Sequence, residues 1–579
     1  MSINQLTGFN NKVSKYALMS AAALYLAGCG QTSINPTSAA INEADWCISG
    51  GTIYTAADNT PNVAAVAVKN GTISYAGEAA GDWCAANTGA NPRILDLGGA
   101  TAYPGFTDAH GHLLGIGLRE MTLNLEGTKS VSELQDRVKA EVEKTPSGQT
   151  VYGRGWIETH WPEKRFPNKD DLDAIAPNNP VILSRSDGHA AVVNSAALNA
   201  AGITSETQAP FGGDILKGAD GQPTGMLIDR AEDLVAGLVD RVTPERKEAA
   251  YIKGAALYAS RGWANIHSMS VDPADTALLE RLAAEGKIGI RVYNSIDYKA
   301  GEDMSKILNK PKIDSPLITT RAIKLYSDGA LGSRGAALIE PYDDDPKNEG
   351  LVMLTRQMVM PILRDALQEG IQVNTHAIGD RANRLVLSWY EDAMENVPKD
   401  ERKIAEPRWR IEHSQIVNLE DIPRFAALGV IPSMQPSHAI GDLHFAEDRI
   451  GKDRLKGGYA WRTLIDSGAK IAGGSDAPVE VGDPRIEFYA AMIRQDQEGY
   501  SNDAWYPDEK VTPQEALKMF TAWAAEAAFE DGKTGTIEVG KRADFTVLDR
   551  DILTAPPQDI LTAKPVMTIV DGIAVFEAP

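Results

Sequence analysis

The strongest constraint on this chain is the way its middle alternates. Apolar, β-rich runs recur as GWANIHSMSV, IGIRVYNSI, AIKLYSDG, IQVNTHAIG, WRIEHSQIV, GVIPSMQP and AKIAGGSDAP. Amphipathic, helix-like stretches such as PERKEAAYIKGAALYASR stand between them. Strands alternating with helices at roughly thirty-residue intervals are βα units, which build a parallel sheet. Polar side chains stand at or just after the ends of the runs, where a (β/α)8 barrel carries its chemistry. The expected fold class is α/β with a TIM barrel at its centre, and 579 residues leave room for accessory parts.

Spacing locates those parts. His112 and Lys324 lie 212 residues apart, whereas three βα units need only about 90. The surplus predicts a lobe inserted at about residues 120–240, which holds SRSDGHAAVVNSAAL and a Gly-rich stretch, FGGDILKGADGQPTGML. Both chain ends read as short strands and turns, with Asn70-Gly71 as a hairpin step. Neither end has enough apolar residues to stand alone. Residues 45–106 and 535–579 are therefore expected to build one small β-sandwich around a barrel domain of residues 107–534.

The chemistry begins in TDAHGHLLG. Residues two apart on a strand share a face, so His110 and His112 can grip one cation, and Asp108 falls on that face too. Downstream come Lys324 in AIKLYSDG, His376 in VNTHAIGD, His413 in RIEHSQIV and Asp476 in GGSDAP. Their spacing assigns them to strands one, four, five, six and eight. Neutral imidazoles with a carboxylate suit Zn²⁺ or a similar divalent ion.

This set resembles the amidohydrolase superfamily, in particular the amidohydrolase-3 branch that includes N-substituted formamide deformylases. The resemblance runs from about residue 45 to the C-terminus and rests on the H-x-H strand, DGHAAVVNSAAL, IKLYSDGALGSR, HAIGDRAN, IEHSQ, SDAPVE and GKRADFTVLD. It implies a metal-dependent TIM barrel whose ligands are His110, His112, Lys324, His376, His413 and Asp476. It also implies that Lys324 is carboxylated and bridges two ions. The other reading is a plain lysine paired with Asp328 or a substrate carboxylate, which leaves one metal. Asp476 is the expected proton shuttle. His189 in the lobe is a candidate to polarise substrate, and His267, Arg334 and His438 are candidate substrate contacts. The implied reaction is hydrolysis of an amide-like or cyclic C–N bond in a small molecule. A deaminase on the same barrel is the nearest rival, ranked lower because the run after His376 is Ala-Ile-Gly-Asp, without the glutamate such enzymes commonly carry. A non-catalytic surface lipoprotein that binds metal or ligand is the reading from a different class.

Charge narrows the partners. Lys and Arg total 57 against 79 Asp and Glu, a net charge of −22, which argues against nucleic acid and anionic lipid surfaces. The first 28 residues read as a signal segment: Lys12 and Lys15, the apolar stretch Tyr16–Ala27, then Leu26-Ala27-Gly28-Cys29, which resembles a bacterial lipobox. Cys29 is thus the expected lipidation site, residues 29–44 a flexible tether, and the outer membrane facing the periplasm the expected address. In such an oxidising compartment Cys47 and Cys84 read as a disulfide.

Overall fold

The computed structural model describes residues 45–579 except 160, 187, 211–212, 240–241, 299–315 and 502–503. The signal segment, the tether and Cys29 lie outside the described residues. No helix among the described residues is long and apolar enough to cross a membrane.

Eight strands form the central sheet: β1 Phe106–Gly111, β2 Trp263–Val271, β3 Arg291–Asp297, β4 Ile318–Tyr326, β5 Gln372–Ala377, β6 Arg410–His413, β7 Ile431–Met434 and β8 Ala472–Gly473. Each pairs in parallel with the next. Just past β8 the chain hydrogen-bonds back to β1: Asp476 N donates to the His110 carbonyl at 2.6 Å, and His112 N donates to Ala477 O at 2.8 Å. These bonds form a seam between the last strand and the first.

Parallel strands covered on both faces read as nearly continuous buried runs, and β1, β6 and β7 are buried at every residue. Helices pack around the sheet for local reasons as well. The helix Pro244–Arg261 starts with a Thr243 side-chain cap and Pro244 in its first turn, and it stops at Gly262 in the left-handed region.

The expected lobe region holds a six-stranded mixed sheet running from Leu123–Asn124 to Pro223–Asp229. It touches the loop after β8, where Ser186 Oγ donates to Val479 O at 2.7 Å. The chain ends differ from the expected two-layer sandwich. They join as one continuous eight-stranded sheet, because Thr101–Pro104 pairs antiparallel with Phe545–Leu548 along its full length. Trp46, Val66, Leu97, Phe545 and Ile569 fill its core. Arg291, the first residue of β3, ties this sheet to the barrel through a buried ion pair with Asp544 at 2.6 Å.

Cys47 on the strand Trp46–Tyr54 is bonded to Cys84 on the short helix Trp83–Asn87, with a Cα separation of 5.7 Å and a sequence separation of 37. A cross-link of that loop length stabilises by about 2–4 kcal/mol, chiefly through the unfolded chain. C47S and C84S are each expected to lower the unfolding midpoint, and the double variant to lower it no further. Additive losses in thermal melts would contradict a shared bond.

Candidate metal centre

The strand ends bring the expected residues together. His110, the penultimate residue of β1, is fully buried, and His112 follows the strand as the cap of the next helix. Lys324 on β4 places Nζ 3.4 Å from His110 Nε2. His376 on β5 and His413 on β6 meet edge to face, with ring centroids 4.5 Å apart. Asp476 lies among them: Oδ1 is 3.0 Å from His112 Nε2 and 3.4 Å from His110 Nε2, and Oδ2 is 4.0 Å from His413 Nδ1.

Backbone geometry is bent to achieve this. His413 has φ +74° and Asp476 φ +58°, a left-handed conformation uncommon for residues bearing a side chain. Strict alternation along β6 turns His413 away from its neighbour Glu412, and the positive φ breaks that alternation. Such outliers gather at functional sites.

The imidazoles are set as lone-pair donors. His110 Nδ1 lies 2.5 Å from Glu412 Oε2, and His112 Nδ1 lies 3.2 Å from the Met269 carbonyl. Both partners are acceptors, so each Nδ1 carries the proton and each Nε2 is left with a lone pair. His413 Nδ1 faces Gln435 Oε1 at 2.9 Å in the same way. Burial and the nearby Lys324 hold His110 down to about 4 and His376 to about 3, and burial holds His413 well below its usual range. Burial pushes Asp476 up, but the imidazoles of His110, His112 and His413 around it outweigh that, and the carboxylate stays ionised.

Two imidazole lone pairs therefore point at a carboxylate oxygen, acceptor against acceptor. A divalent cation resolves that repulsion, so the donor set fits one. Ligand atoms of His110, His112 and Asp476 lie within 4.8 Å of one another, and so do those of His413, His438 and Asp476. Two overlapping triads thus share Asp476. Burial brings Lys324 down to about 8 against the pull of Glu412 and Asp476, which keeps part of its amine neutral.

Supporting residues escaped the sequence reading. Glu412 and Arg410 are fully buried on β6 and pair at 2.7 Å, and Arg410 also donates to Ala109 O at 2.5 Å and Ser433 Oγ at 2.8 Å. Arg410 and the Glu412–His110 contact hold the Glu412 carboxyl well below its usual range despite burial. Two charges at alternate positions of a buried strand were the available signal. Asp328 accepts from the amides of Ala337, Ile378 and Gly379 at 2.8–3.0 Å and lies 3.5 Å from His376 Nε2. Its hydrogen bonds go to these amides, and it is not the partner of Lys324. Partners of this kind typically change metal affinity about 10–100-fold. E412Q, which keeps the shape and removes the charge, is expected to weaken metal affinity by about that factor in a chelator competition; unchanged affinity would remove Glu412 from the centre.

Other expected contacts need correction. Asp108 does not join the histidines. A register shift in the β1–β2 pairing turns it aside, and its carboxylate accepts from Tyr258 Oη at 2.8 Å and Ser475 Oγ at 2.5 Å. His267 sits fully buried in the barrel interior, Nδ1 3.0 Å from Arg410 Nη1 and its ring against Tyr293, with no exposure to a substrate. Arg334 commits its guanidinium to Asp344 at 3.0 and 2.8 Å, so a substrate carboxylate finds it occupied. His438 does reach the centre, with Nε2 3.7 Å from Asp476 Oδ2 and its ring parallel to that of His413. His189 holds Asp229 at 2.8 Å and is near enough for its charge to act on His376.

Comparison with known proteins shows the family of the chain. The model of the amidohydrolase family matches residues 93–576. The chain is 33% identical over 544 residues to the amidohydrolase YtcJ of Bacillus subtilis (strain 168), covering 91% of this chain and 98% of that protein. It is 28% identical over 501 residues to the N-substituted formamide deformylase of Arthrobacter pascens, covering 84% and 90%. The crystal structure of an uncharacterized metal-dependent hydrolase from Pyrococcus furiosus superposes with a TM-score of 0.67 at 27% identity, covering 88% of this chain and all of that one.

Proposed function

This chain belongs to the amidohydrolase family, and on that premise we propose that it hydrolyses an amide-like or cyclic C–N bond of a small molecule outside peptides, with Asp476 as the proton shuttle. The observation that carries the reading is the convergence of His110 and His112 Nε2 on Asp476 Oδ1 while each Nδ1 faces an acceptor.

His110, His112 and Asp476 would hold one ion, and Lys324, His376 and His413 a second, with His438 beside them. A divalent cation held there, such as zinc, would lower the pKa of water toward about 7 and polarise the scissile carbonyl. Lys324 is read as carboxylated: its neutral amine adds to CO₂, loses a proton and becomes an anion suited to bridging two cations. Asp476, ionised and buried, accepts a proton from the attacking water as the C–O bond forms. It returns that proton to the leaving nitrogen as the C–N bond breaks. His189 reaches from the lobe to polarise the substrate, held in orientation by Asp229.

Metal content of the protein lacking residues 1–29, prepared without chelator, tests this reading. Two equivalents per chain, with a ¹³C carbamate signal after labelling with bicarbonate, are expected. One equivalent would return Lys324 to an ordinary lysine, and a folded chain that binds none would refute the hydrolase. We further propose export and anchoring in the outer membrane facing the periplasm through a lipid on Cys29; the Cys47–Cys84 bond supports an oxidising compartment. Palmitate labelling of whole cells should mark the chain and be abolished by C29S.

A further inference from the structure

The loop after β8 carries a carboxylate that the hydrolytic reading does not use. Glu480 is rigidly placed: Arg119 donates to its own carbonyl at 2.9 Å and to Val481 O at 3.0 Å, and Trp263 Nε1 donates to Gly482 O at 2.9 Å. Its side chain is only 28% exposed, yet the carboxylate accepts no hydrogen bond from any described residue. The group facing it is His438 Nε2 at 3.8 Å, a buried nitrogen that likewise has no hydrogen-bond partner among the described residues. The other charges acting on Glu480 are carboxylates, those of Asp442, Glu126 and Asp476. The guanidinium beside this loop, that of Arg119, is taken by the loop carbonyls.

A half-buried carboxylate without a donor is costly, and it becomes favourable once an N–H group fills the gap. A carboxylate placed beside Glu480 meets the like charges of Glu480, Asp442 and Glu126, an arrangement that rejects as well as selects. We propose, resting on the hydrolase reading above, that Glu480 and His438 form a subsite beside the metal centre for a cationic or N–H-bearing group of the substrate, and that carboxylated substrates are excluded.

Three matched formamides test this: N-butylformamide, its terminal-amine analogue and its terminal-carboxylate analogue, assayed with the metal-loaded protein. The amine analogue is expected to exceed the carboxylate analogue in kcat/KM by about a hundredfold, mostly through KM, as a charge-assisted hydrogen bond predicts. E480Q should shrink that ratio about tenfold, and E480K should invert it. Thermal melts and metal content of both variants report whether they are folded. A wild-type ratio near one, or a ratio unmoved in folded, metal-loaded E480Q, would overturn the subsite. If none of the three is hydrolysed, the C–N hydrolase reading loses its support, and the subsite is decided by calorimetry with butylammonium and butanol. Butylammonium bound about tenfold tighter, with the difference lost in E480Q, sustains it; equal binding overturns it.

Discussion

D476N is expected to lower kcat/KM by at least about a thousandfold, because in the proposed mechanism it removes a general acid–base and a shared metal ligand in one substitution. Asn keeps the size of Asp but cannot accept the proton of water, and its amide oxygen is a weaker ligand. Both triads of candidate ligands contain this residue, so metal content should fall together with activity. D476E separates the two roles. It restores the carboxylate but moves it, and is expected to regain metal binding more fully than turnover. Retention of more than about a tenth of the activity in D476N would place the proton transfer elsewhere.

R410M is expected to destabilise the fold by about 3–5 kcal/mol, the usual cost of leaving one partner of a buried ion pair uncompensated. Arg410 and Glu412 are fully buried, and in the variant the Glu412 carboxylate keeps only His110 as a strong partner. The loss should appear as a lower denaturant midpoint of the metal-free protein. Adding E412Q to R410M should recover part of it, since a neutral amide is less costly to bury than a lone carboxylate. A midpoint shift below about 1 kcal/mol in R410M would mean that water reaches the barrel interior and solvates the pair.

The barrel was legible because alternation survives even where a strand is short: β8 is two residues long, but the Gly473-Gly474 step and Asp476 marked its end. The gathering of His110, His112, Lys324, His376, His413 and Asp476 was legible because order along the chain maps onto order around a barrel. Charge compensation between distant segments was not. Arg334 looks like a free cation until Asp344, ten residues on, folds back to it. His267 carries the same signature as His376, a histidine near the end of a β-rich run, and only the pairing register separates an interior imidazole from one at the rim. Glu412, next to a ligand, passed unnoticed because its role depends on β1 lying alongside β6. The chain ends pair in one sheet, and that continuity depends on register between segments more than 400 residues apart, such as Phe106 N and Thr546 Oγ1.

The seam between β1 and β8 has a kinetic consequence. The residues that close the ring, His110 and Asp476, are also the ones that would grip a cation, and His112 and Asp476 lie 364 positions apart in sequence. Contacts of such separation form late, after most of the loop entropy has been lost. The coordination pocket is therefore absent from any partly folded species and arises only when the ring shuts. Cation uptake during refolding should lag behind the recovery of helical signal and coincide with the final step. Saturating cation should then act mainly on the reverse process, slowing reopening of the ring by binding the closed form alone.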